Sequence, residues 1–379
     1  MALALNEEQR LLKDSAREFL TSTAPVEAFR QLRDSKDATG YSKDLWQQMI
    51  ELGWTGISIA EEFDGLDFGF QGLGLIFEQA GTVLAASPLF STLVLGVSTI
   101  ELLGSEAQKQ ALLPAIVAGE LTLALALEES HKHAPTAIAT TAEQDGDTFV
   151  INGSKTFVLD GHTADKLLVV ARTSGDINDE QGVSIFLIDS KSAGVSINRT
   201  IMLDSRNAAT IQLDNVKVSK DNLLGNIDKA FPTFHQVLAR GRILLAAEML
   251  GGCQEMLNRT VQYLKEREQF GVKIGTFQAL KHRAAKMFIE IELAKSVVLE
   301  GLTAIDTKSD NLEKIACTAK SRLNDTYQLV TNEAVQMHGG IGVTDELDVG
   351  LFLKRARVVI HTLGDSSFLR DRYATLSGY

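Results

Sequence analysis

The sequence predicts an α+β fold in three regions. These are an N-terminal helical bundle, a middle antiparallel β-barrel or sandwich, and a C-terminal four-helix bundle. The first observation is that the apolar period changes twice. Helical spacing holds to about residue 120, short β-branched runs fill 121–230, and helical spacing returns from 231 to 379. The second is that no helical pattern long enough for a crossover separates the middle runs, which argues against a parallel sheet. The domains are therefore expected at 1–120, 121–230 and 231–379.

In the first region, Asn6 and Gln9 have capping-box spacing, and Leu11, Leu12, Phe19 and Leu20 continue one apolar face. Ser42 can cap a second helix through Leu45, Trp46, Met49 and Ile50, which stops near Gly53. Further helices are expected over 71–86, 89–103 and 105–118. The stretch AEEFDGLDFGF between them reads as a Gly- and Asp-rich loop. The polar stretches 21–40 and 174–182 read as loops without assignable function.

The middle strands are expected at 121–127, 148–153, 166–173, 183–189, 194–198 and 209–218. Asp145-Gly146 and Asn152-Gly153 are among the turn residues that separate them. The last region offers helices over 231–266, 276–306, 311–337 and 345–358, with stops at Gly271, the polar 307–310 break and Gly339-Gly340.

Composition excludes some functions. Across 379 residues, 37 basic side chains face 49 acidic ones, a net of −12, so a nucleic-acid partner is not expected. Cys253 and Cys317 lie in apolar helical patterns and give neither a disulfide framework nor a zinc spacing. The first residues lack a signal-peptide pattern, and no window is apolar enough to cross a bilayer. A soluble cytoplasmic protein is expected. His131-Lys132-His133 lacks a third ligand nearby and reads as a solvated loop.

Two constellations carry possible chemistry. In YLKEREQFGVKIGTFQAL (263–280), Arg267 offers a planar fork of donors for phosphate oxygens. Gly271 permits a tight reversal, Phe270 can cover a ligand ring, and Gln278 lies at the start of the next helix. The competing reading is a helical corner with a surface arginine. In AVQMHGGIGV (334–343), Gly339, Gly340 and Gly342 allow close approach to backbone amides, and Gln336 can hydrogen-bond a ligand. The glycine spacing is not that of a dinucleotide fingerprint, and no strand precedes it.

Together, in this order, these segments resemble the acyl-CoA dehydrogenase family. AEQDGDTFVINGSKTFVLDGHTADKLLVVART (142–173) is similar to the family's β-domain stretch. The resemblance spans nearly the whole chain. It implies an oligomeric FAD enzyme that removes two hydrogens from the α and β carbons of an acyl-CoA and passes electrons to an electron-transfer flavoprotein. It also implies residue roles. Arg267 and Gln269 would meet the FAD pyrophosphate, Phe270 and Gln278 would lie beside the cofactor, and Gln336 to Gly340 would hold its adenosine end, all across a subunit boundary. Arg242 would sit near the substrate thioester arm, and Asp365 and Ser367 would touch the adenosine diphosphate.

The resemblance fails where the chemistry should be. The family's base is usually a Glu in a Tyr-Glu-Gly-Thr turn, which aligns with Thr362, Leu363, Gly364 and Asp365. The alternative position, just before Arg242, is Gly241. The flavin-facing loop aligns with LEESHKHA (127–134), where Glu128 alone agrees, and hydroxyls expected near the ring become Leu127 and Leu159. These losses predict one subunit of a heteromeric acyl-CoA dehydrogenase, a heterotetramer whose homologous partner carries the base, with a homo-oligomer as the alternative. The resemblance to two-subunit members of the family that act on steroid side-chain CoA esters implies a steroid-type substrate. The rivals are a self-sufficient enzyme using Asp365 or Glu248 as base, a flavin monooxygenase on the same fold, and a non-catalytic structural or regulatory subunit.

Overall fold

The computed structural model describes residues 5–379, which divide into two compact units. One unit comprises 36–69 and 86–241. Its helices are α3 (Lys43–Glu51), α5 (Ser98–Leu103) and α6 (Glu106–Val117), with a π-helical turn at Phe90–Val97. Its strands are β1 (Leu123–Ala126), β2 (Thr141–Asp145), β3 (Thr148–Leu159), β4 (Lys166–Arg172), β5 (Val183–Asp189), β6 (Val195–Ile201), β7 (Asn207–Ser219) and β8 (Leu223–Leu224).

These strands form one sheet in the order β6-β7-β3-β2-β4-β5-β8, with β1 added beside β4. Most pairings are antiparallel, but β1 runs parallel to β4. That pairing fits the apolar run of β4, buried on both faces from Leu167 to Arg172. Phe90–Val97 lies against β1 at close range: Thr92 Oγ1 accepts the Leu123 N–H at 3.1 Å. A Cβ on Gly96 would sit 2.8 Å from that of Leu123. β1 and β5 are likewise buried on both faces, β3 and β7 alternate over part of their length, and Phe149, Ile151, Phe186, Ile211 and Val218 meet in one core.

The second unit holds the residues through Ser35, Phe70–Ala85 and Arg242–Tyr379. It contains α1 (Glu7–Thr23), α2 (Val26–Ser35), most of α4 (Gly69–Val83) and α7 (Phe231–Glu266). It also holds α8 (Gln278–Asp306), α9 (Leu312–His338), α10 (Val349–Val359) and α11 (Ser366–Leu376). The expected capping box of α1 is present, with Asn6 and Gln9 bonded reciprocally. Helix α2 is a correction to the loop expected over 21–40. Val26 and Phe29 bury one face, a short amphipathic signal that polar neighbours mask in the sequence.

Helix α4 is buried almost throughout, and Asp306 caps it by accepting the Phe70 and Gln71 N–H groups at 2.7 and 3.0 Å. The chain after α7 is not a plain helical corner. β9 (Glu268–Gln269) and β10 (Val272–Lys273) pair antiparallel, with Phe270 (φ +56°) and Gly271 (φ +77°) at the turn.

Candidate functional site

The C-terminal turn is built by donors from two helices. Arg242 on α7 is buried, and its Nε donates to the Leu363 carbonyl at 3.0 Å. Lys320 on α9 donates to the Val359 carbonyl at 2.8 Å and to Asn324 Oδ1. Asn324 in turn donates to the Gly364 carbonyl at 3.4 Å. Full burial, then Arg242 and Arg355 nearby, push the Lys320 pKa well below its usual value. Leu363 (φ +57°) is buried in the left-handed region and Gly364 (φ +115°) follows it. The turn is tightly specified, yet position 363 has no proton acceptor.

Neither substitute carboxylate is uncommitted. Asp365 is the N-cap of α11 and accepts the Phe368 N–H at 2.9 Å. Glu248 is buried in a two-bond ion pair with Arg355, at 2.9 and 2.8 Å. Ser366, the residue before the expected Ser367, reaches Asp325 at 2.9 Å, while Ser367 is exposed.

The residues expected to bind an anion have the opposite character. Tyr263 stacks on His338 with ring centroids 4.4 Å apart, so the ends of α7 and α9 emerge side by side. Arg267 and Gly339 follow from those ends. Arg267 is exposed with no side-chain partner among the described residues, and Phe270 is 91% exposed. Gln269, Gln278, Gln336, Gly339 and Gly340 are exposed too. A Cβ added at Gly339 or Gly340 would meet nothing within 4 Å, and Gly339 has φ +64°. An uncommitted guanidinium, an open aromatic face and accessible backbone fit the phosphates and rings of FAD.

The loop after β1 departs from its expectation. Glu129 accepts from Lys155 Nζ at 2.6 Å, Ala139 N at 2.7 Å and Thr140 N at 3.0 Å. Burial outweighs this pairing and lowers Lys155 from 10.5 to about 8. Glu128 Oε1 instead meets His133 Nδ1 at 2.5 Å, with the two side chains 18% and 4% exposed. His131 and Lys132 are exposed as expected for a solvated loop, but the His133 side chain is not. Among the described residues no His, Cys, Asp and Glu cluster could hold a metal. Leu127 is buried and Leu159 half-buried, so neither position offers a hydroxyl.

Sequence reading missed Lys320, Asn324 and the Glu128–His133 pair. Lys320 and Asn324 had one legible sign, a polar pair four residues apart on an apolar helix.

Three family models match in succession. The acyl-CoA dehydrogenase N-terminal domain matches residues 6–120, the middle domain 124–216 and the C-terminal domain 231–375. The chain belongs to the acyl-CoA dehydrogenase family. Members of this family are FAD-dependent oxidoreductases acting on CH–CH bonds. The chain is 30% identical to the acyl-CoA dehydrogenase FadE12 of Mycobacterium tuberculosis, over 84% of this chain and 83% of that one. It is 29% identical to the 3-(aryl)acrylate reductase of Clostridium sporogenes, covering 93% and 94%. The solved structure of a Tcur3481-Tcur3483 steroid ACAD variant superposes with a TM-score of 0.88 at 31% identity, covering 98% of each chain. Among the described residues of this acyl-CoA dehydrogenase relative, no helix is long and apolar enough to cross a membrane.

Proposed function

We propose that this chain is one subunit of a heteromeric, FAD-dependent acyl-CoA dehydrogenase that desaturates a CoA thioester between its α and β carbons. The reading rests on one contrast. Arg267 and the glycines at 339 and 340 stand exposed and uncommitted, whereas Leu363 leaves a tightly held turn without a proton acceptor. The first set suits a cofactor bound by a neighbouring subunit. The second means that the acceptor lies outside this turn.

Bound FAD supplies a two-electron acceptor for the hydride leaving the β carbon. The Arg267 guanidinium would balance the pyrophosphate charge, and Phe270 would cover a ring of the bound cofactor. Arg242 is fixed by its bond to the Leu363 carbonyl and holds positive charge beside the turn. Removing a general base slows such chemistry by about 10²–10⁴-fold, which makes a homologous partner with intact residues the simplest complement. The 31% identity to a steroid ACAD supports a steroid-type acyl group, and an electron-transfer flavoprotein is the proposed electron acceptor.

The test is co-expression with a homologous family member encoded nearby, followed by the flavin-to-protein ratio. The expected result is about one FAD for each pair of unlike chains, and Arg267→Ala in this chain strips that FAD. Full flavin occupancy in this chain alone would defeat the heteromer.

A further inference from the structure

The segment 339–348 carries the glycines proposed to meet the cofactor, and little apolar burial holds it in place. Between Gly339 and Leu347 only Gly342 is buried, and Val343 is 76% exposed. Arg259, Tyr263, His338 and Asp348 instead line an open groove of about 790 Å³. The segment is fastened at its two ends. At the start, His338 Nδ1 donates to the Ala334 carbonyl at 2.7 Å, and its ring stacks on Tyr263 of α7. At the finish, Asp348 accepts from Arg30 Nε of α2 at 2.7 Å and from Arg259 Nη1 of α7. Arg33 of α2 adds two bonds to Asp345, at 2.7 and 2.6 Å.

The use made of Asp348 is unusual for its position. It is the N-cap of α10, where an aspartate ordinarily accepts a helix N–H, yet its side chain makes no such bond. The carboxylate is only 11% exposed and serves two guanidiniums on other helices. A largely desolvated carboxylate bonded twice fixes position better than a solvated surface pair.

Helix α7 supplies the spacing. Arg259, Tyr263 and Arg267 recur every four residues and so share one face. The Arg267 N–H donates to the Tyr263 carbonyl at 2.9 Å, which carries the helical turn on to it. The first of the three holds Asp348, the second holds His338, and the third stands exposed. Eight residues of helix span about 12 Å.

We infer that Asp348 is a positioning residue for flavin: clamped by Arg30 and Arg259, it holds the Gly339–Gly340 turn at a fixed distance from Arg267, so that one FAD meets both. This rests on the FAD-binding role proposed above and names what sets its geometry.

The test titrates FAD into the deflavinated, co-expressed pair and follows amide hydrogen exchange in the same samples. Asp348→Asn weakens FAD binding about tenfold and speeds exchange at 339–344, while exchange in the centre of α9 is unchanged. In a double-mutant cycle, Arg267→Ala removes most of that effect, because an absent guanidinium cannot be misaligned. A residue serving stability alone leaves the two losses multiplying. Asp348→Glu, which keeps the charge, recovers most of the affinity. Should Asp348→Asn loosen α9 as well, Asp345→Asn on the 61% exposed side of the clamp takes its place, with a loss of about threefold. Unchanged affinity, or losses that multiply, overturn the inference. The wild type reports separately on the heteromer. If the lone chain is fully flavinated, that reading falls, and the same cycle run on the lone chain decides the clamp.

Discussion

At the scale of residues, the cation that holds Glu129 in the loop after β1 should reveal itself through pH. Lys155 is fully buried and its pKa falls from 10.5 to about 8, because desolvation exceeds what Glu129 restores. Below pH 8 the amine is protonated whether the chain is folded or not, and the cost of burying its charge is fully present. Between about pH 8 and 10.5 the folded chain releases a proton that the unfolded chain keeps, so the stability contributed by this group rises with pH. Urea unfolding should show the wild type gaining on Lys155→Met across that window, by up to roughly 3 kcal/mol. A constant difference between the two proteins would mean that Lys155 is not depressed.

At the scale of elements, the crossing of α4 and α7 depends on two glycines. A Cβ at Gly251 would lie 1.8 Å from the Glu78 carbonyl oxygen, and one at Gly81 would lie 2.0 Å from that of Glu248. Backbone faces backbone from both sides, so no side chain can move to relieve the contact. Gly251→Ala should therefore destabilise the chain by about 1–3 kcal/mol in urea denaturation. Gly350→Ala on α10, where a Cβ would meet nothing within 4 Å, should be neutral or slightly stabilising.

At the scale of the whole molecule, α8 presents an apolar face to solvent. Phe288, Ile289 and Leu293 are each more than half exposed. A helix facing only water has no physical reason to carry such residues together, and burial against another subunit supplies one. Phe288→Glu combined with Leu293→Glu should lower the assembly mass in light scattering and, on the proposed heteromeric reading, reduce flavin content. An unchanged mass would place the interface elsewhere.

The sequence by itself determined the alternation of helical and strand regions, because apolar period follows from which face each element buries. It also carried the capping box at Asn6, the residue types proposed for anion binding at Arg267 and Gly339-Gly340, and the absence of a carboxylate at Leu363. Residue identity and local spacing are enough for such readings. Only the tertiary structure decided that β1 lies parallel to β4, that α2 is a helix, and that Glu248 is taken by Arg355. It alone brought His133 onto Glu128 and Lys320 beneath the Val359 carbonyl. Those outcomes depend on which distant groups share a desolvated space, and a linear pattern does not encode that distance.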